Sequence, residues 1–438
     1  MVNYQDKIIT VEKALDMVKS NMYIFTGLGG SEAQLFMSKL HTIKDRVKNV
    51  HITNCLPVCA CDYMNYPESF YCDAWFYTPQ LRKLHHQGNA SFIPNHLHFA
   101  GDRRLERVTP DIFIGVATPP DEHGYISLSL GNTYEKKSIR NAKIAILEIN
   151  PNYPRTFGDV EIHVSEIDYL IPVDYPLPTL PDVPFTEKDL AIGKIISEYV
   201  HDGDCIQLGI GGIPNAVTAS LKNKKHLGIH TEMFTSGMAE LIESGVVDNS
   251  CKQLNTGKSV ATFALGNKKL YDLIDNNPSV AIFDGSYVND PKIICQNDNQ
   301  VSINTTIEVD LTGQCCSESI GSLQFSGAGG QADTAIGARN SKNGRSFIAL
   351  YSTAMVRNPE TGEKEEVSKI VAQLKPGAIV TLQRQDVHYI VTEYGAVNLS
   401  GCTVAERVDL LISIAHPKFR EQLYKDAVAC GIIGERKK

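Results

Sequence analysis

No apolar run in this 438-residue chain approaches the ~20 residues that cross a bilayer as a helix. The best runs, Ile112 to Ala117 and Ile144 to Ile149, have the length of buried strands. The first residues, Met1 to Asp6, lack the basic-then-apolar profile of a secretory signal, so a cytoplasmic location is expected. Positive charge is also scarce: 42 Lys and Arg stand against 50 Asp and Glu, for a formal charge of −8. Nucleic acid and anionic membranes are therefore not expected partners. Paired Cys-x-x-Cys chelates are missing too. Cys55, Cys59, Cys61 and Cys72 lie near His85, His86, His96 and His98, but without short paired spacing no metal site is expected. Eleven cysteines with no repeated framework fit reduced thiols, and adjacent Cys315 and Cys316 fit a strand.

What is present is an ordinary globular composition, 42% apolar and 21% charged. At ~150 residues per domain, two or three domains are expected. Helical patterns alternate with short apolar strands, which implies an α/β protein with largely parallel open sheets. The same local plan occurs twice. Thr10 caps an amphipathic helix carrying Ala14, Leu15 and Val18; strand Met22 to Thr26 then runs into Gly27-Leu28-Gly29-Gly30, a helix through Leu35, Phe36 and Leu40, and strand Val50 to Thr53. Thr186 likewise caps a helix carrying Leu190, Ile192, Ile195, Ile196 and Val200. Strand Cys205 to Leu208 then runs into Gly209-Ile210-Gly211-Gly212, a helix through Ala216, Val217 and Leu221, and strand Leu227 to Thr231. Five prolines between Pro172 and Pro184 form a helix-hostile connection. Two related α/β domains, residues 1–183 and 184–438, are expected.

The second glycine turn, Gly209 to Pro214, lets the main chain approach a ligand closely, with a helix starting at Pro214 and free N–H groups near Gly211 and Gly212 for an anion or oxyanion. Alone, it is also what a plain strand-to-helix turn looks like. It is not Gly-x-Gly-x-x-Gly, and it lacks the Lys-Ser/Thr of a P-loop, so a dinucleotide or ATP fold is not indicated. Glu232 falls at the carboxyl end of the next strand, where open α/β sheets bind ligands. There a carboxylate has the position to act as a nucleophile in acyl transfer. In the first half Asn54 takes the corresponding place, an opposing wall rather than a second acid. Glu393, in Thr392-Glu393-Tyr394-Gly395, is a rival acid at a strand end, and the residues alone do not choose between the two. Ser326 to Asp333 is a second bare glycine turn suited to close ligand approach, with Asp333 bracing the loop through its own N–H groups. Thr118 to Gly124 reads as a proline-set turn with a structural His123, and Thr403 to Glu406 as a capping box opening a helix that Pro417 follows.

Taken together, these segments carry a resemblance. Thr118 to Gly124, Gln207 to Pro214, Leu227 to Met233, Ser326 to Asp333, Val391 to Gly395 and Ile414 to Pro417 resemble the acetyl-CoA hydrolase/transferase branch of the family I coenzyme A transferases. Within it the chain is similar to 4-hydroxybutyrate CoA-transferases and butyryl-CoA:acetate CoA-transferases. The resemblance implies two related open-sheet α/β domains of CoA-transferase type with the active site between them. It implies that Glu232 forms a glutamyl-CoA thioester and that CoA contacts come from Gly209, Ile210, Gly211, Gly212, Ile213, Ile307, Gly330 and Arg357. Relatives carry Lys where Arg357 stands, which keeps the charge and changes its geometry. The implied substrates are acyl-CoA and a small carboxylate, with no permanently bound cofactor and no metal, and the implied assembly is a homodimer or higher homo-oligomer. Departures cluster in the first half: Thr26 to Ser31 replaces a His-Cys-Val-Ala-Glu-Pro-like turn, His98-Phe99-Ala100-Gly101 replaces His-Glu-Val-Pro, and Thr334 replaces a usual Phe. An acyl-CoA hydrolase, a sugar-phosphate isomerase and a non-catalytic CoA-binding regulator are the rival readings.

Overall fold

The computed structural model describes residues 4–59, 61–181, 184–358 and 361–435. Two large sheets organise it. The first has seven strands, all parallel, in the order Tyr169–Pro172, Ile144–Ile149, Ile112–Ala117, Tyr23–Thr26, Val50–Asn54, Phe70–Ala74 and Ala90–Phe92. Its interior strand Ile112–Ala117 is buried at every position, which explains an apolar run without alternation. The second sheet runs Gly228–Ile229, Cys205–Leu208, Gln300–Thr305, Arg345–Ala349, Tyr389–Thr392 and Gly395–Asn398. Only its last strand pair is antiparallel.

The duplicated plan is visible in both sheets. Thr10 accepts a hydrogen bond from Lys13 N and opens the helix Val11–Met17. Thr186 and Asp189 form a full capping box on the helix Glu187–Glu198. In each half the strand before the glycine turn pairs with the next strand on one side and a later strand on the other. The halves are not separate beads. Phe157–Gly158 adds to the small parallel sheet of Ser259–Ala261 and Val280–Ile282, and one apolar core takes residues from both halves. The proline-rich connection packs down as well, with Leu180 N donating to Gly266 O at 2.9 Å.

Two expectations need correction. The helix after the glycine turn begins at Gly212, not Pro214, with Gly211 capping it at φ +114°. Pro214 fits inside the first turn because no intrahelical bond requires its missing N–H. The strand expected over Leu227 to Thr231 is only Gly228–Ile229. Beyond Ile229 the chain leaves the large sheet: His230 bridges Val260, and Thr231 N donates to Val260 O. Glu232 therefore hangs between two sheets instead of capping one strand. Among the described residues no helix is long and apolar enough to cross a membrane.

Candidate active site

A cavity of about 220 Å³ lies between the halves, and Glu232 is part of its lining. The main chain fixes this residue first. Its carbonyl accepts from Thr262 N at 3.0 Å and Phe263 N at 3.3 Å. Its side chain, partly exposed to the cavity, accepts from Asn289 Nδ2 at 2.8 Å and from the Gly330 N–H. Withdrawal from water chiefly, with Asp333's charge, raises the carboxyl against the pull of the Asn289 and Gly330 bonds, leaving it at about 7. A carboxylate titrating near neutrality in a cavity, held by two donors, is equipped for covalent chemistry.

The two walls differ in character. The amino-terminal half contributes Leu28, Cys55, Leu56, Trp75, Phe76, Asn95, Leu97 and Ala100, an almost entirely apolar surface. The carboxyl-terminal half contributes main chain and amides: Gln207 to Ile210, Asn304, Thr305, and Ser326 to Gln331. Gln207 Oε1 accepts from Ser302 Oγ at 2.7 Å and from Asn304 Nδ2 at 3.3 Å, while Asn304 Nδ2 also reaches Thr334 Oγ1 at 3.0 Å. This network holds the polar floor in one arrangement. An acyl tail suits the first wall, and a thioester with a polar carrier arm suits the second.

The structure sorts the expected residues into two groups. Gly209, Ile210 and Gly330 line the cavity with Glu232, and Ile210 is 48% exposed. Gly211, Gly212 and Ile213 do not line it. Ile213 is buried in the core, and the Asp189 carboxylate occupies the space beside Gly212. The N–H group found at the acid is that of Gly330, so the oxyanion donors expected from Gly211 and Gly212 are not the ones facing Glu232. Ile307, partly buried, lies just beyond the lining residue Thr305 and donates its N–H to Cys316 O. Arg357 is exposed on the hairpin of Thr353–Arg357 and Lys364–Ser368, also outside the lining.

The rival acid Glu393 sits among different partners. Glu393 accepts from Ser352 N at 2.8 Å and Ser352 Oγ at 2.7 Å, and Lys188 Nζ lies 3.2 Å away. Burial pushes its carboxyl up, but the Ser352 bonds and Lys188 outweigh that and leave it below the ordinary range. It does not line the cavity that holds Glu232. Asp333 does not brace its own loop; it accepts from His98 on the opposite half. Asn54 is buried behind the wall that Cys55 and Leu56 provide. The turn at Asp121 is structural, accepting from His123 N and Tyr125 N. Among the described residues no group of three or more His, Cys, Asp or Glu side chains is placed to hold a metal. Asn289, unmarked in the sequence, is the partner of the Glu232 carboxylate that sequence reasoning missed.

Paired open-sheet α/β halves enclosing a carboxylate between an apolar and a polar wall define a class of acyl-handling cleft enzymes. The chain belongs to the acetyl-CoA hydrolase/transferase family: the model of its N-terminal domain matches residues 1–181 and that of its C-terminal domain residues 266–427. It is 43% identical to the succinyl-CoA:cyclohexane-1-carboxylate CoA transferase of Geobacter metallireducens, covering 97% of this chain and 95% of that one. It is 40% identical to the 4-hydroxybutyrate coenzyme A transferase of Clostridium kluyveri, over 97% of both. Among solved structures, RipA from Yersinia pestis superposes with a TM-score of 0.91 at 35% identity, covering 98% of this chain and 99% of RipA.

Proposed function

We propose that this chain is an acyl-CoA:carboxylate CoA-transferase that moves CoA between acetyl-CoA and a short-chain acid of the butyrate or 4-hydroxybutyrate type. The Glu232 carboxylate attacks the thioester carbonyl; the C–S bond breaks, releasing CoA thiolate and leaving an acyl-glutamyl anhydride. The thiolate then attacks the glutamyl carbonyl, the acid departs as its carboxylate, and glutamyl-CoA remains. A second carboxylate runs the two steps in reverse and leaves as the new acyl-CoA. One thioester replaces another, so the cycle balances without ATP or a redox partner. Asn289 Nδ2 and the Gly330 N–H are positioned to stabilise negative charge on the oxygens that form at Glu232.

The observation that carries this reading is Glu232 itself, held by two donors in an interdomain cavity with its carboxyl pushed up to about 7. Close to neutrality a useful fraction is ionised, and poor solvation keeps that fraction reactive. The same reading takes CoA as a substrate rather than a resident cofactor, with Gly209 to Ile213, Ile307, Gly330 and Arg357 along its path. It takes residues 1–183 and 184–438 as the two domains, and a cytoplasmic homodimer or higher homo-oligomer as the working form. The test is mass spectrometry of the peptide containing Glu232 after mixing with acetyl-CoA. A CoA thioester on that side chain is expected. Its absence during active turnover, or an adduct on another residue, overturns the assignment.

A further inference from the structure

Asp333 lies in the first turn of the helix Gln331–Asn340 and is 1% exposed. Its carboxylate turns to the opposite half. Oδ1 accepts from His98 Nδ1 at 2.8 Å, Oδ2 accepts from His98 N at 3.2 Å, and His96 Nδ1 is 3.4 Å from Oδ1. A buried carboxylate requires such donors, and here they all come from one short turn, Leu97–Phe99, and the residue before it. That turn also packs against the helix Gly285–Val288, which delivers Asn289. Gly330 stands three residues before Asp333. The two groups that hold the Glu232 carboxylate therefore both rest on the same turn of the amino-terminal half. The turn supplies Leu97 and leads into Ala100, two residues of the apolar wall.

We propose that Asp333 and His98 are a positioning pair, whose hydrogen bonds lock the apolar wall onto the turn that holds Glu232 and so set the distance from a bound acyl carbonyl to the attacking oxygen. The inference rests on Glu232 being the reacting group. Neither residue of the pair lines the cavity, so each acts through others. His96 stands beside Asp333, Glu232 feels Asp333's charge across the turn, and Cys55 on the apolar wall feels the charge of Glu232 in turn.

The experiment is steady-state kinetics of the full chain with His98→Ala, His98→Asn and Asp333→Asn. His98→Ala is expected to lower kcat by about 10- to 100-fold, the cost of an ångström-scale misplacement, with a smaller change in KM for acetyl-CoA. His98→Asn, whose side-chain N–H can replace the ring donor, is expected to recover most of that kcat. Asp333→Asn removes a negative charge facing Glu232, so the acidic limb of the rate profile is expected to move to lower pH. Wild-type kcat in His98→Ala overturns the proposal, as does restored thermal stability without restored kcat in His98→Asn. If His98→Ala does not fold, the near-isosteric Asp333→Asn carries the test: unchanged kcat and an unchanged acidic limb overturn the proposal. Full activity of Glu232→Gln would instead refute the functional reading, whatever the His98 variants do.

Discussion

Asn289 Nδ2 donates to Glu232 Oε2 at 2.8 Å, joining the C-cap of the one-turn helix Gly285–Val288 to the acid at the cavity. Asp284 holds that helix by accepting from Ser286 N at 2.8 Å and Ser286 Oγ at 2.6 Å. The bond lowers the Glu232 pKa, so its loss works opposite to the loss of Asp333. In Asn289→Ala the acidic limb of kcat/KM is expected to shift to higher pH, because the carboxyl holds its proton longer. The plateau is expected to fall by about 10²- to 10³-fold, the usual loss for one oxyanion donor. A pH profile of acetyl-CoA:butyrate exchange reads both effects, and a limb that moves to lower pH contradicts the assignment.

Gly330 must be glycine for space, not for conformation. Its φ of −99° is open to any residue, but a methyl group there would collide with the Glu232 carboxylate and the Asn289 amide. Gly329, by contrast, has φ +52° and meets nothing closer than Glu232 Oε1 at 3.6 Å. Gly330→Ala is therefore expected to abolish exchange while leaving the melting temperature nearly unchanged. Gly329→Ala is expected to cost about 1 kcal/mol of stability through its left-handed backbone and to retain activity. Paired thermal melts and exchange rates separate the two, and equal losses of activity would refute the steric account.

Much of this arrangement is legible in the sequence. The repeated helix, strand and glycine turn follow from local signals, such as the Thr186 cap and the apolar run Cys205 to Leu208, that the fold leaves intact. Glu232 was one of two acids at strand ends. Separating it from Glu393 needed the partners Ser352 and Lys188, which are distant in sequence and invisible to periodicity. Asn289 had no signal at all, since an asparagine beside Asp290 and Pro291 reads as a turn. The glycine turn misled in one respect. Nothing in Gly209 to Gly212 reveals that Asp189, from a preceding helix, takes up the space beside Gly212. The N–H that reaches Glu232 belongs to Gly330 in the other glycine turn, where the sequence indicates only close approach.

Among the described residues, the cavity lining includes no Lys, Arg or His; its ionisable members are Cys55 and Glu232. Burial raises the Cys55 thiol, and the charges of Glu232 and Glu135 add to it, so the local potential is negative. A second carboxylate on the substrate would be buried there without a partner. With acetyl-CoA as donor, butyrate and 4-hydroxybutyrate are expected to exceed succinate in kcat/KM by at least about tenfold. Leu56→Arg, at a partly exposed position of that wall, is expected to narrow the ratio. A panel of acids at one pH decides it, and succinate equal to butyrate would show that the acyl tail reaches solvent instead.

Glu32 is 1% exposed, and burial pushes its carboxyl up to about 7, against hydrogen bonds from Cys59 and Val58 that include Cys59 N to Oε2 at 3.3 Å. Its Oε1 has no partner among the described residues. Because the folded pKa lies above the unfolded value of 4.5, the unfolded chain releases this proton first. The stability tied to the protonated form is complete below pH 4.5 and is lost as pH rises through about 7. Glu32→Gln keeps an acceptor for Cys59 and cannot ionise. Its melting temperature relative to the parent is therefore expected to climb between pH 5 and pH 8, by an amount equivalent to about 1–3 kcal/mol. Melts of both proteins across that range provide the check. A difference that stays flat would mean that Glu32 ionises freely in the folded protein, with water reaching Oε1.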